Sequence, residues 1–182
     1  MLFSRAIFPT FAIVWATAAN AAPPLAIAAV PSSCIASATT WAEAMTAQLP
    51  AYANRAFRRA NTPTHVSIVG FPEVVPVVDG GGQLLDWGEG NDELAQVYFS
   101  TLERQQGDAA GRSQLQRAYR VYLVRPRDRP APWLPIAVRV AQSSQANGGG
   151  RLAPRDASQG AIAQAIANWQ KAGCPGLDSS EP

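Results

Sequence analysis

The stretch Leu115-Gln-Arg-Ala-Tyr-Arg-Val-Tyr-Leu-Val124 is the clearest β-strand in the chain. Strand side chains point alternately to opposite faces. Tyr119, Val121 and Leu123 therefore share one face, and Arg120 and Tyr122 share the other. A strand that is apolar on one side and polar on the other belongs to a sheet covered on one face only.

Working outward, further strand patterns flank it. Val66–Phe71 reads as a strand, and Pro72 and Pro76 make Val74–Val78 an edge or irregular one. Leu94–Leu102 and Trp133–Gln142 are the other two. Gln105–Ser113 and Ser143–Gly150 read as loops, and Pro126–Pro132 as a rigid hairpin connection. With matching registers, the face away from the helices presents Arg120, Tyr122 and Arg139, joined by Tyr98. Such a surface suits an anionic or aromatic ligand or a partner protein; the alternative is an ordinary solvated sheet face.

Helical patterns lie at the two ends. Trp41, Met45 and Leu49 recur every four residues, and Thr40-Trp-Ala-Glu43 has the spacing of a capping box. Pro50 is expected to kink or restart this helix. The pattern continues through Tyr52, Ala53, Ala56, Phe57 and Ala60, and Asn61 and Pro63 end it. Arg55, Arg58 and Arg59 suit the negative end of its dipole. A last helix is expected from about Asp156 to Ala172, with Ile162, Ile166 and Trp169 inward. Gly173 stands where a left-handed cap belongs, and Pro175 prevents extension. Helix, consecutive strands, helix predicts an α+β domain: an antiparallel sheet of about four to five strands, with N- and C-terminal helices packed on one face.

The N-terminus has the pattern of a secretory signal peptide. Met1-Leu-Phe-Ser-Arg5 is basic, Ala6–Ala19 is mostly apolar, and Ala19-Asn-Ala21 offers small residues for cleavage after Ala21. Ala26-Ile-Ala28 is a second small-x-small site. The alternative is an uncleaved anchor, but Pro9, Pro23 and Pro24 interrupt the apolar run. The expected organisation is a signal peptide over 1–21, a flexible leader over 22–36, one domain over 37–175 and a tail over 176–182. The expected location is secreted or periplasmic, with no stable membrane span after cleavage. Pro31-Ser-Ser33 before Cys34 lacks the residue of a lipobox.

The 182-residue chain is long enough for one core, and its 47% hydrophobic and 15% charged residues are a globular balance. Lys171 is the one lysine. A mature chain without Arg5 carries a net charge near +1, which leaves no nucleic-acid footprint. Cys34 and Cys174 are the two cysteines. In an oxidising compartment they are expected to pair. Chain entropy sets an upper figure of about 5 kcal/mol for a loop of that size.

The stretch Asp79–Glu93, DGGGQLLDWGEGNDE, holds five carboxylates and five glycines. Neither Asp79 nor Asp86 starts a loop with EF-hand spacing, so the favoured reading is a connector whose glycines allow positive φ. Asp86, Glu89, Asn91 and Asp92 leave calcium as an open alternative. Leu84, Leu85 and Trp87 are unusual for a solvated loop, and Trp87 joins the candidate contact residues. His65 is the one histidine, and no nucleophile elbow or phosphate loop accompanies it. No metal site, cofactor or catalytic residue is therefore assigned.

"LPAYANRAFRRA" at 49–60 and "YRVYLVRPRDRPAPWLPIAVRV" at 119–140 resemble small exported proteins of cyanobacteria. The resemblance covers about residues 40–174. It implies an exported α+β domain in an envelope context and assigns no functional residue. The expected function is non-catalytic binding or scaffolding, with an unknown envelope protein or anionic ligand as partner. The alternative is a hydrolase of an envelope polymer using carboxylates such as Glu89 and Asp92.

Overall fold

The computed structural model describes residues 32–78, 92–105, 113–142 and 153–177. A short 3-10 turn at Ser32–Cys34 leads into helix α1, Ala38–Arg59. Five strands follow: β1 at Thr64–Pro76, β2 at Asp92–Gln105, β3 at Ser113–Pro126, β4 at Leu134–Gln142 and β5 at Arg155–Asp156. Helix α2, Ala161–Lys171, closes the domain. The strands lie in sequence order in one antiparallel sheet. The expected α+β fold is the one observed.

The β2–β3 ladder is the centre of the sheet. It pairs Asp92 with Pro126 through to Gln105 with Ser113 without a register shift. Ala95, Val97, Phe99, Tyr119, Val121 and Leu123 point to one side and are buried. Val66 of β1 and Val138 and Val140 of β4 extend this apolar floor. The helices cover it with Trp41, Met45, Leu49 and Ala53 from α1, and Ile162, Ala165, Ile166 and Trp169 from α2. The rings of Trp41 and Trp169 meet edge to face at 5.4 Å, joining the two helices. Trp133, fully buried just before β4, accepts at its backbone carbonyl from Gln170 Nε2 of α2 at 2.7 Å.

Three local expectations are corrected. Ser37, not Thr40, caps α1: its Oγ accepts from the Thr40 amide at 3.1 Å and shares a hydrogen bond with the Thr40 hydroxyl. Helix geometry begins at Ala38, so Thr40 is already inside. Pro50 neither ends nor restarts α1, which runs through it. Met45, Leu49 and Ala53 on either side of the proline are fully buried. Their packing outweighs the one amide that proline cannot give to the Thr46 carbonyl. Helix α2 starts at Ala161 because Arg155–Asp156 pair with β4 as a fifth strand.

The two strands expected between residues 66 and 78 form a single edge strand with a register shift between Val69 and Glu73. Gly70 sits at this shift with φ +80°, a conformation that glycine adopts without strain. Beside it, Phe71 is 97% exposed. Farther along the outer edge, Asn54 of α1 acts as a substitute strand. Its Oδ1 accepts from the Val66 amide at 2.7 Å and its Nδ2 donates to the Val66 carbonyl at 3.3 Å.

The helices end alike. Thr62 N–H reaches back to Phe57 C=O around Asn61 at φ 53°, and Cys174 N–H reaches Trp169 C=O around Gly173 at φ 86°. Both are Schellman closures, the second at the glycine that the sequence singled out. The turn at Gly173 delivers Cys174 to Cys34, and the disulfide forms as expected, with the Cα atoms 5.3 Å apart and both residues buried. Ser33 Oγ donates to Gly173 C=O at 3.0 Å beside it. Residues 32–36, grouped with the leader on composition, are thereby part of the packed unit. No described helix is long and apolar enough to cross a membrane.

Replacing both cysteines with serine is expected to lower unfolding free energy by about 2–5 kcal/mol, because the bridge closes a loop spanning most of the domain. Urea unfolding of the double variant reads this as a lower midpoint; an unchanged midpoint would show the bridge to be dispensable.

Candidate functional site: the open face of the sheet

The face turned away from the helices is assembled by register. Across all five strands, Glu73 of β1, Tyr98 of β2, Arg120 of β3, Arg139 of β4 and Asp156 of β5 stand opposite one another in a single row. The next row holds Val75, Gln96, Tyr122 and Ala137, and the row on the other side holds Val69, Ser100, Ala118 and Ala141. The structure thus brings together Arg120, Tyr122, Arg139 and Tyr98. Trp87 lies outside the described residues, as do Asp86, Glu89 and Asn91. Asp92, the other carboxylate of the hydrolase reading, opens β2 opposite Pro126. Its neighbour Glu93 is held by Arg125 at 2.7 Å. His65 is exposed on β1 opposite Arg104.

Arg120 is held from two sides. Its guanidinium carbon lies 4.6 Å from the centre of the Tyr98 ring, a cation–π stack. Its Nη1 donates to the Tyr122 hydroxyl at 3.2 Å. Tyr98 is fixed in turn, its hydroxyl donating to Gln96 Oε1 at 2.7 Å. The bond to Tyr122 pushes the Arg120 pKa further above an already high value, so this cation is permanent.

Arg139 is exposed and stands directly across from Arg120. Like charges at directly opposed positions disfavour strand pairing. No carboxylate lies within ion-pair distance of either arginine among the described residues. Asp156 is the acid facing Arg139 in register, but its Oδ1 accepts from both the hydroxyl and the amide of Ser158, at 2.7 and 3.0 Å. Those bonds are the main reason its carboxyl is held below the usual range; the charge of Arg139 adds a smaller effect.

The helix-covered face has a polar feature that sequence reasoning missed. Glu103, 1% exposed, receives Arg117 Nη1 at 2.8 Å, the Tyr119 hydroxyl at 2.9 Å and the Thr101 hydroxyl at 3.4 Å. Arg117 and Tyr119 also line a cleft of about 460 Å³ with Phe57, Arg155 and the start of α2. Alternation over Val97, Phe99, Thr101 and Glu103 was the available signal, because it carries Glu103 onto the buried side. Burial, and the charge of Glu103 next to it, push the Tyr119 pKa well above its ordinary value near 10. No group of three or more metal-ligating side chains occurs among the described residues.

In comparisons with known proteins, no family, curated protein or solved structure matches this chain.

Glu103→Ala is expected to cost about 3 kcal/mol or more, because Arg117 and the Tyr119 hydroxyl lose their shared acceptor. Glu103→Gln keeps an acceptor and is expected to cost less. Chemical denaturation of both variants checks the order. Tyr119 holds its proton more tightly when folded than unfolded, so its contribution to stability is full below pH ~10 and declines as pH rises above that. Tyr119→Phe is expected to flatten this alkaline decline in unfolding free energy.

Proposed function

We propose that this chain is an exported, non-catalytic binding domain whose open sheet face, centred on Arg120, holds an anionic ligand. The observation that carries the reading is the pairing of two cations. Arg120 is oriented in advance by Tyr98 and Tyr122 and stands directly opposite Arg139, with no carboxylate among the described residues in ion-pair distance of either. An anion placed between them offsets the like charges and meets, in Arg120, a donor whose ordering cost is already met within the fold. Tyr98, Tyr122 and Gln96 supply aromatic and polar contact beside the charge.

The location rests on other residues. A disulfide between Cys34 and Cys174 is consistent with an oxidising environment. The basic and apolar start with Ala19-Asn-Ala21 supports export and cleavage after Ala21. The resemblance of residues 49–60 and 119–140 to exported proteins of cyanobacteria supports an envelope partner.

Two measurements test the proposal. Amide chemical shifts of the mature protein, titrated with inorganic phosphate, glutarate and poly-glutamate, are expected to move saturably around Tyr98, Arg120, Tyr122 and Arg139. Arg120→Ala and Arg139→Ala are each expected to weaken the best of these probes about tenfold, equivalent to about 1.4 kcal/mol. Melting temperatures should stay near that of the parent. Shifts confined to another surface, or affinity unchanged in both variants, would remove this face as the site. Separately, the exported protein is expected to begin near Ala22 and to contain no alkylatable thiol by intact-mass analysis; recovery with Met1 in place would refute the export reading.

A further inference from the structure

We infer that the group bound between Arg120 and Arg139 is a single compact dianion, the phosphoryl group of a phosphate monoester, and not a polyanion. This inference rests on the reading of the open face as the binding surface.

The distribution of charge on that face carries the argument. Strands lie about 4.8 Å apart, so Arg120 and Arg139 leave the sheet from neighbouring positions. Arg120 is held over Tyr98, and the long, exposed side chain of Arg139 is the one that must swing to meet it around a single small group. Beyond them the row ends in acids, Glu73 on one side and Asp156 on the other, roughly 19 Å apart across four strand spacings. A polyanion laid across the strands meets one carboxylate or the other. Along the strands the cations also stop. On β3 the same face carries Gln116 and Ala118 before Arg120, and Tyr122 and Val124 after it. On β4 it carries Ala137 and Ala141 on either side of Arg139. The nearest further cation on the face among the described residues is Arg104, near the far end of β2. Among the described residues, positive charge in this part of the face is therefore confined to one spot and bounded by acids, the inverse of a polyanion track.

The shape of the neighbours agrees. Ala118, Ala137, Ala141 and Ser100 are short, so the arginines stand above a low floor that leaves room for a tetrahedral group. Guanidinium forks match phosphoryl oxygens in pairs, and a monoester carries nearly two charges at neutral pH against the two cations. Tyr98 and Tyr122 flank the charge and offer contact to an organic body attached to it.

The test uses the mature, disulfide-intact protein and three probes: phenyl phosphate, phenyl sulfate and poly-glutamate. Phenyl sulfate has nearly the same shape but one fixed charge. The ionisable side chains around the pair are Glu73 on β1, Tyr98 on β2, Tyr122 on β3 and Asp156 on β5. Phenyl sulfate therefore serves as the control for any titration of these groups. By calorimetry, phenyl phosphate is expected to bind at least about threefold more tightly at about pH 7.5 than at about pH 5, as its second proton, with a pKa near 6, leaves. Phenyl sulfate is expected to be weaker at the higher pH and flat across the range. Arg120→Gln and Arg139→Gln should each weaken phenyl phosphate about tenfold. Equal affinity for the two phenyl esters, or phosphate binding that ignores both substitutions, overturns the inference. Tighter binding of poly-glutamate that depends on both arginines also overturns it, while leaving the anionic face intact. No binding of any probe removes both.

Discussion

The unbroken pairing of β2 with β3 is the constraint on which everything else depends. Fourteen consecutive pairs without a bulge sort every side chain of both strands onto one face or the other. A slip of one residue would carry Arg120 and Tyr122 into the core and turn Tyr119, Val121 and Leu123 out to solvent. The buried side chains of this ladder form the largest part of the floor on which the helices rest. Local irregularity is kept to the margins: the shift in β1 lies on the outermost strand, and that in β4 lies between the partners of Tyr122 and Leu123. The centre stays regular, and so the two faces keep separate chemistries.

Much of this arrangement was legible in the residues. Alternation in Leu115–Val124 separated the apolar side from the Arg120 and Tyr122 side, and the structure places both as read. Arg139 and Tyr98 joined them because the apolar alternation of their own strands left them on the remaining side. The helical stripe of Trp41, Met45 and Leu49 and the glycine at 173 were equally plain. These features share one property: a repeating pattern over several residues, with a single physical cause.

What escaped the sequence depended on contacts distant along the chain. Pro50 reads as a kink or a restart, and only the burial of residues on both sides of it shows why α1 continues as one helix. Arg155–Asp156 are too few to show any period, and they become a strand because Arg139 and Val140 offer an edge. Ser37 and Thr40 are both good caps by residue type, and only the structure shows that the helix begins at Ala38 with Ser37 Oγ accepting from the Thr40 amide. Glu103 looks like a solvent residue until Arg117, Tyr119 and Thr101 converge on it from the same face. In the described part of the molecule, then, periodic features announce themselves, whereas isolated polar groups take their meaning from partners that the topology supplies.

The bridge between Cys34 and Cys174 also has a geometric result for display. It gathers the first and last described segments at one place, beside the starts and ends of the helical layer. The row from Glu73 to Asp156 lies on the reverse of the sheet. A linker, label or support joined at the described ends, Ser32 or Leu177, would therefore depart from the helix-covered side of the sheet. An array of copies tethered this way would all turn their arginine pairs outward, toward whatever passes in the surrounding fluid.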